Sequence, residues 1–146
     1  MSKKEESIGR MVSILHRIGQ SHMGKKLEPY NIGPGQYAFL AELLWKDGIS
    51  QDEVATKFKC DKATAARAIQ HLEHHGYVVR KQSENDGRVK TIFVTDKARK
   101  FQPILFSFLK EWTEMLFQGF GNEERKLVLD LLNRIVKAAS KAKTGG

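Results

Sequence analysis

Two short stretches of the chain carry the side chains best suited to chemistry, and that chemistry is contact with a polyanion. In the first, Lys62, Ala63, Thr64, Ala66, Arg67 and Gln70 follow Asp61 at helical spacing. On a wheel of about 100° per residue, Ala65, Ala68, Ile69 and Leu72 cluster inward. Ala63, Ala66, Arg67, Gln70 and His74 face outward, with Thr64 and His71 to one side. Small alanines let such a helix approach a major groove closely and touch thymine methyls. Arg67 can donate to guanine O6 and N7, and Gln70 can bond adenine N6 and N7. Lys62 and Thr64, in the first turn, can hold a phosphate together with the helix N-terminus. The second stretch is Asn85, Asp86, Gly87 and Arg88, with Lys90 close behind. Arg88 on the tip of a thin hairpin is shaped for a minor groove, where a narrow A·T tract concentrates negative potential. Asp86 is spaced to hold its guanidinium.

The charge balance agrees. The 146 residues carry a net charge of +8, which favours nucleic acid or an anionic membrane surface as partner. The interval from Lys57 to Lys90 holds eight Lys/Arg against four Asp/Glu, so about half the excess lies around the two stretches just described. No apolar run approaches the roughly 20 residues that span a bilayer, and Met1 to Glu6 is charged rather than signal-like. A membrane is therefore not the expected partner. One cysteine, Cys60, cannot form a bridge within the chain, which points to a reducing cytoplasm and a buried structural thiol. His71 and His75 stand four apart, but no Glu or Cys nearby in sequence completes a metal site. Serine-hydrolase elbows, zinc-protease motifs and glycine-rich phosphate loops are all missing from the sequence. The chain is expected to be no enzyme and to need no cofactor.

The elements that must position these residues can be read from periodicity and caps. Ile8, Met11, Leu15, Ile18 and His22 mark a long amphipathic helix. Glu28 to Pro34 breaks it, and Pro34 suits the first turn of a second helix with Tyr37, Leu40 and Leu44 as its stripe, ended by Gly48. Ser50 and Glu53 form a capping box for a short helix to about Phe58. Asp61 caps the next, which runs to Gly76, and the short connection between them has helix-turn-helix spacing. Residues 77–82 and 89–94 are β-branched and aromatic, flanking a turn-forming cluster, and read as a hairpin. Thr95 caps a helix through Phe101, Leu105, Phe108, Trp112 and Leu116, with a kink expected at Pro103 and a stop at Gly119 and Gly121. Asn122 caps the last, carrying Val128, Leu131, Leu132, Ile135 and Ala139, before a frayed tail from Lys141.

The fold class is thus mainly α with a small β-hairpin: a winged helix-turn-helix with N- and C-terminal helices. One domain is expected over 1–146, with a DNA-binding lobe at 34–95 and flanking dimerisation helices at 7–28 and 96–140. The apolar faces of the terminal helices are longer than a winged-helix core can cover. Stripes of that extent mark an interface, most simply a two-fold one.

At these residues the chain resembles the MarR family of regulators. The match runs through Ser50-Gln-Asp-Glu-Val-Ala55, Asp61-Lys-Ala-Thr64, Arg67, Leu72-Glu73, Gly76-Tyr-Val78, Asn85-Asp-Gly-Arg88 and Val94-Thr-Asp-Lys97. It departs from the family pattern at Ala66 and Ala98. The resemblance implies a homodimer joined through the terminal helices and bound to a pseudo-palindromic operator in double-stranded DNA. It also implies a repressor released by a small phenolic or aromatic acid such as salicylate. Arg10, Met11, His16, Arg17 and Tyr37 supply cations and apolar walls for such a ligand, between the first two helices and the lobe. The alternative is an architectural protein that binds DNA without choosing sequence. It is separated from a regulator by the specificity ratio, at least about 10³ for the latter.

Overall fold

Ser7 opens the first helix, its hydroxyl accepting the Arg10 amide, and α1 then runs Ile8–Leu27. The computed structural model describes residues 7–85 and 87–145, the last three of these as backbone. A 3₁₀ turn over Glu28–Tyr30 ends α1. Helix α2 covers Tyr37–Trp45. It begins later than expected: Pro34, Gly35 and Gln36 form a turn before it, closed by the Gly33 amide donating to Gln36 Oε1 at 2.9 Å. Pro34 is therefore a turn residue, and α2 ends before Gly48 rather than at it.

Helix α3, Gln51–Lys57, starts from the expected capping box, with both Ser50 and Glu53 bonds present. Helix α4 spans Lys62–His74, and Asp61 caps it by accepting the Thr64 amide at 2.6 Å. Gly76 follows at φ +81°, the left-handed value that a side chain would resist, and turns the chain into the sheet. Strands β2, Val78–Gln82, and β3, Lys90–Val94, make the hairpin in antiparallel register, Val78 opposite Val94 and Gln82 opposite Lys90.

A third strand was not visible in the sequence. The two residues Ile49–Ser50, β1, pair with Ile92 and Thr91, so the sheet order is β1-β3-β2. The Gly48 amide extends the pairing by donating to the Ile92 carbonyl at 3.0 Å. Asp47 fastens the same corner. Its Oδ1 accepts from the Val94 amide at 2.9 Å, and its Oδ2 lies 3.3 Å from Arg99, whose guanidinium also reaches the Leu44 carbonyl.

Helix α5, Asp96–Leu116, starts at Thr95, whose hydroxyl accepts the Ala98 amide, and it continues unbroken through Pro103. Helix α6 is Asn122–Gly145, so helical backbone extends past the expected end at residue 140. Its cap is Gly121 rather than Asn122: Glu124 reaches back to accept the Gly121 amide at 2.8 Å.

The chain forms two compact units, the first ending at Leu109 and the second starting at Lys110. The first holds the core. Met23, Leu27, Leu40, Leu43, Val54, Ala65, Ile69, Leu72, Val78, Ile92 and Leu105 are all essentially inaccessible to solvent. Each large aliphatic among them contributes about 1.5–3 kcal/mol by leaving water. In the second, Arg125 binds both Glu114 oxygens at 3.0 and 3.1 Å and lies over the Phe117 ring. No residue of α6 with a described side chain is buried, and Leu127, Leu129, Leu131, Leu132, Ile135 and Val136 are exposed.

Candidate nucleic-acid interface

Helix α4 is held from beneath by its small and branched residues. Ala65, Ala68, Ile69 and Leu72 are buried, as the wheel required. Ala63, Arg67, Gln70 and His74 are exposed, and Thr64, Ala66 and His71 are half-buried along the edge. The outward strip is therefore free of any structural duty in the core.

The cap at Asp61 leaves the first turn well formed, and Arg67 Nη2 donates to Thr64 Oγ1 at 3.3 Å. The guanidinium is thereby folded along the helix toward its N-terminus. Lys62 stands 3.8 Å from Asp52, with both side chains largely in solvent. Such a pair contributes little to stability and can open toward a phosphate. Further along, Arg67, Gln70, His71 and His74 line one shallow hollow of about 360 Å³.

The hairpin is fixed to α4 by an ion pair. Arg80 of β2 directs Nε and Nη2 at Glu73 Oε1, at 3.2 and 2.8 Å. The hydrogen bond from Arg80 holds the Glu73 carboxyl below the usual carboxylate range. At the tip, the Ser83 amide donates to the Val89 carbonyl at 2.8 Å, and the Asn85 amide to Ser83 Oγ at 3.2 Å. Asn85, Arg88 and Lys90 are exposed. Asp86 lies outside the described residues, so the expected contact between Asp86 and Arg88 does too. Arg88 and Lys90 share a groove of about 270 Å³ with Ser50, Gln51, Asp52, Arg80 and Val89. Sequence reasoning placed Arg80 in the hairpin but did not connect it with Glu73 or with the start of α3. The alternation of β2 alone gave no sign of either link, and the approach of α3 follows from the β1–β3 pairing.

The expected ligand residues are spread out. Arg10, Met11, His16 and Arg17 are exposed on α1, while Tyr37 opens α2, half-buried. Burial raises its phenol above the ordinary value. Arg17 lines an open groove of about 590 Å³ with Ile18, Ser21, His22, Lys25 and Lys26. Lys26 also sits 5.2 Å from the centre of the Phe108 ring. Cys60, expected to be buried, is half-exposed in the turn between α3 and α4. It follows Lys59 in left-handed conformation, and its backbone amide donates to the Ala55 carbonyl at 3.1 Å. Among the described residues no group of three or more His, Cys, Asp or Glu could hold a metal ion. No helix there is long and apolar enough to cross a membrane.

Comparison with known proteins adds independent findings. Residues 32–90 match the model of the MarR family. An uncharacterised HTH-type transcriptional regulator, YybA of Bacillus subtilis, is 31% identical over 128 residues, covering 88% of this chain and 85% of that protein. The crystal structure of a MarR transcriptional regulator from Methanosarcina mazei is 41% identical with a TM-score of 0.86, covering 92% of this chain and 97% of that one. A MarR-family structure from Listeria monocytogenes, complexed with a 26mer DNA, is 25% identical with a TM-score of 0.89, covering 93% and 91%.

Proposed function

The chain belongs to the MarR family of DNA-binding transcriptional regulators, and on that footing we propose that it is a homodimeric repressor of a pseudo-palindromic operator. The carrying observation is the outward strip of α4. Ala63 and Ala66 keep the surface low, and Arg67 and Gln70 stand on it as polar groups that the core does not use. In this reading α4 enters the major groove, with Arg67 on guanine and Gln70 on adenine. Lys62 and Thr64 hold backbone phosphate. Asn85, Asp86, Arg88 and Lys90 carry the hairpin across the adjacent minor groove. The lobe is residues 34–95, and helices 7–28 and 96–140 join two copies. Support for the joint comes from the unpaired faces of α1 and α6, where Ile8, Met11, Leu15, Ile18, Leu131 and Ile135 are exposed. The Listeria structure with DNA supports the double-stranded partner.

Release by a small aromatic acid belongs to the same reading. The cations and apolar wall of the α1 groove, with Arg17 at its edge, match an anionic ring, with Arg10, Met11, His16 and Tyr37 as further contributors. A hundredfold weakening of DNA binding needs about 2.7 kcal/mol of coupling, and the operator must then weaken the acid by the same factor.

The test is a footprint over DNA upstream of the protein's own gene, with and without salicylate, followed by competition with random duplex. Protection of one symmetric site, preferred by at least about 10³ over random DNA, supports the proposal. Even coverage at every sequence would mean an architectural protein, and equal salicylate affinity with and without operator would remove that acid as effector.

A further inference from the structure

The outward strip of α4 ends in three histidines that the base-reading account does not use. The His71 and His75 rings are 4.7 Å apart, and those of His74 and His75 are 4.9 Å apart. His71 and His74 share their hollow with Arg67 and Gln70. We propose that this half of α4 is a proton-dependent part of the DNA contact: His71 and His74 take up protons as duplex DNA binds, so that affinity rises as pH falls. The inference rests on the reading of α4 as the DNA-facing helix.

The charged surroundings carry the argument. Histidine is the side chain whose charge changes near neutral pH, and a charged imidazole is stabilised by a nearby anion. Among the described residues no carboxylate pairs with His71, His74 or His75. Most acids on the elements around α4 are engaged: Glu53 accepts from the Ser50 amide and Asp61 from the Thr64 amide, while Glu28 lies exposed on the 3₁₀ turn. Glu73 is held by Arg80 of β2, Glu42 of α2 by Lys57 of α3, and Asp52 of α3 faces Lys62. Among the described residues, the groups in contact with the histidines are positive or neutral. Arg67 is on the same hollow, and Lys97 of α5 donates to the His75 carbonyl at 2.7 Å. The Asn31 carbonyl accepts from His71 Nε2 at 3.1 Å. That bond fixes a proton on Nε2 and leaves Nδ1 to take the second.

His75 shows the consequence in the DNA-free protein. Desolvation, then the two neighbouring imidazoles and Lys97, hold it below the ordinary value. An outside anion would offset the crowding of three imidazoles whose neighbouring rings lie 4.7 and 4.9 Å apart. Phosphates along a groove supply that anion, and each proton taken up adds a cation to the contact. By linkage, affinity then rises by up to about tenfold per pH unit for each proton bound.

The experiment uses the full chain and a duplex that the protein itself selects from a randomised pool. Affinity is measured by fluorescence anisotropy at fixed salt between about pH 6 and about pH 8, the window of imidazole titration. Binding of the unmodified protein should tighten at least about tenfold toward the acid end. The double variant His71→Gln/His74→Gln, which keeps an amide donor for the Asn31 carbonyl, should lose most of that slope. His74→Lys should bind more evenly across the range. Calorimetry of the unmodified protein in two buffers of different ionisation heat should report net proton uptake on binding, a readout that no variant's folding can disturb. Equal slopes for parent and double variant, or no proton uptake, overturn the inference while leaving DNA recognition standing. Failure to select or bind any duplex at any pH overturns the DNA reading and this inference with it.

Discussion

Helices α4 and α6 are both amphipathic, and they solve that condition in opposite ways. Helix α4 buries Ala65, Ala68, Ile69 and Leu72 within its own lobe. Helix α6 buries none of its described side chains and leaves six large aliphatics in solvent. A helix whose apolar face is satisfied has its polar face free to read something. A helix whose apolar face is unsatisfied must find a cover, and a second copy of the chain is the simplest cover of matching shape. The contrast teaches that exposure has two meanings here. In the proposed reading, exposure on α4 marks a surface for a polyanion, and exposure on α6 marks one for a second copy.

The comparison breaks most visibly on α6. Replacing Leu131 and Ile135 together with lysine should turn the protein into monomer or aggregate, seen by sedimentation at micromolar concentration. A folded, stable monomer of the unmodified protein would show instead that the exposed stripe needs no cover. On α4 the opposite behaviour is expected. Arg67→Ala should cost DNA affinity about 1–3 kcal/mol and relax one base preference, while the melting temperature stays with the parent. Arg88→Ala on the hairpin should cost a similar amount, about 1–3 kcal/mol, but show it as lost preference for A·T flanks. A variant of either kind that binds every duplex as the parent does would remove that element from recognition. Smaller still is the effect of the cap. Asp61→Ala should lower stability by about 1 kcal/mol, because the Thr64 amide loses its acceptor at a helix start. A melting curve tests it directly.

The smallest effect concerns the tie between helix and hairpin. Arg80 holds the Glu73 carboxyl below its ordinary value. Its contribution is present above the ordinary glutamate pKa, about 4.3, and is lost as pH falls through the lower folded value. The pair is partly in solvent, so the gain is below about 1 kcal/mol. Glu73→Gln should therefore melt slightly earlier than the parent at neutral pH and approach it in acid. A constant difference at every pH would mean the pair acts through packing alone.

Local rules made much of this architecture legible. Ser50 with Glu53, Asp61 with Thr64, Thr95 with Ala98, and the inward set on α4 all act within three or four residues, so spacing alone reveals them. The misses involve distance or competition. Strand β1 has two residues and no periodicity, and only its pairing with Ile92 and Thr91 makes it a strand. The Glu73–Arg80 tie joins helix to strand across a turn. Pro34 fits a helix start by its own conformation, but the Gln36 side chain closes a turn there first. Gly121 caps α6 without a side chain of its own, because Glu124 reaches back to it. For the interface, the outward residues of α4 followed from the wheel. The groove at the hairpin base did not, since Ser50, Gln51 and Arg80 meet only after β1 joins the sheet.

That short strand also decides how the lobe responds to force. A pull along the chain that enters at the end of α2 and leaves at the start of α5 need not pass through α3 or α4. It is carried across the bond from Gly48 to Ile92, the Asp47 grip on Val94, and the Arg99 contact behind it. These rungs lie side by side and share the load, as parallel strands of a cable do.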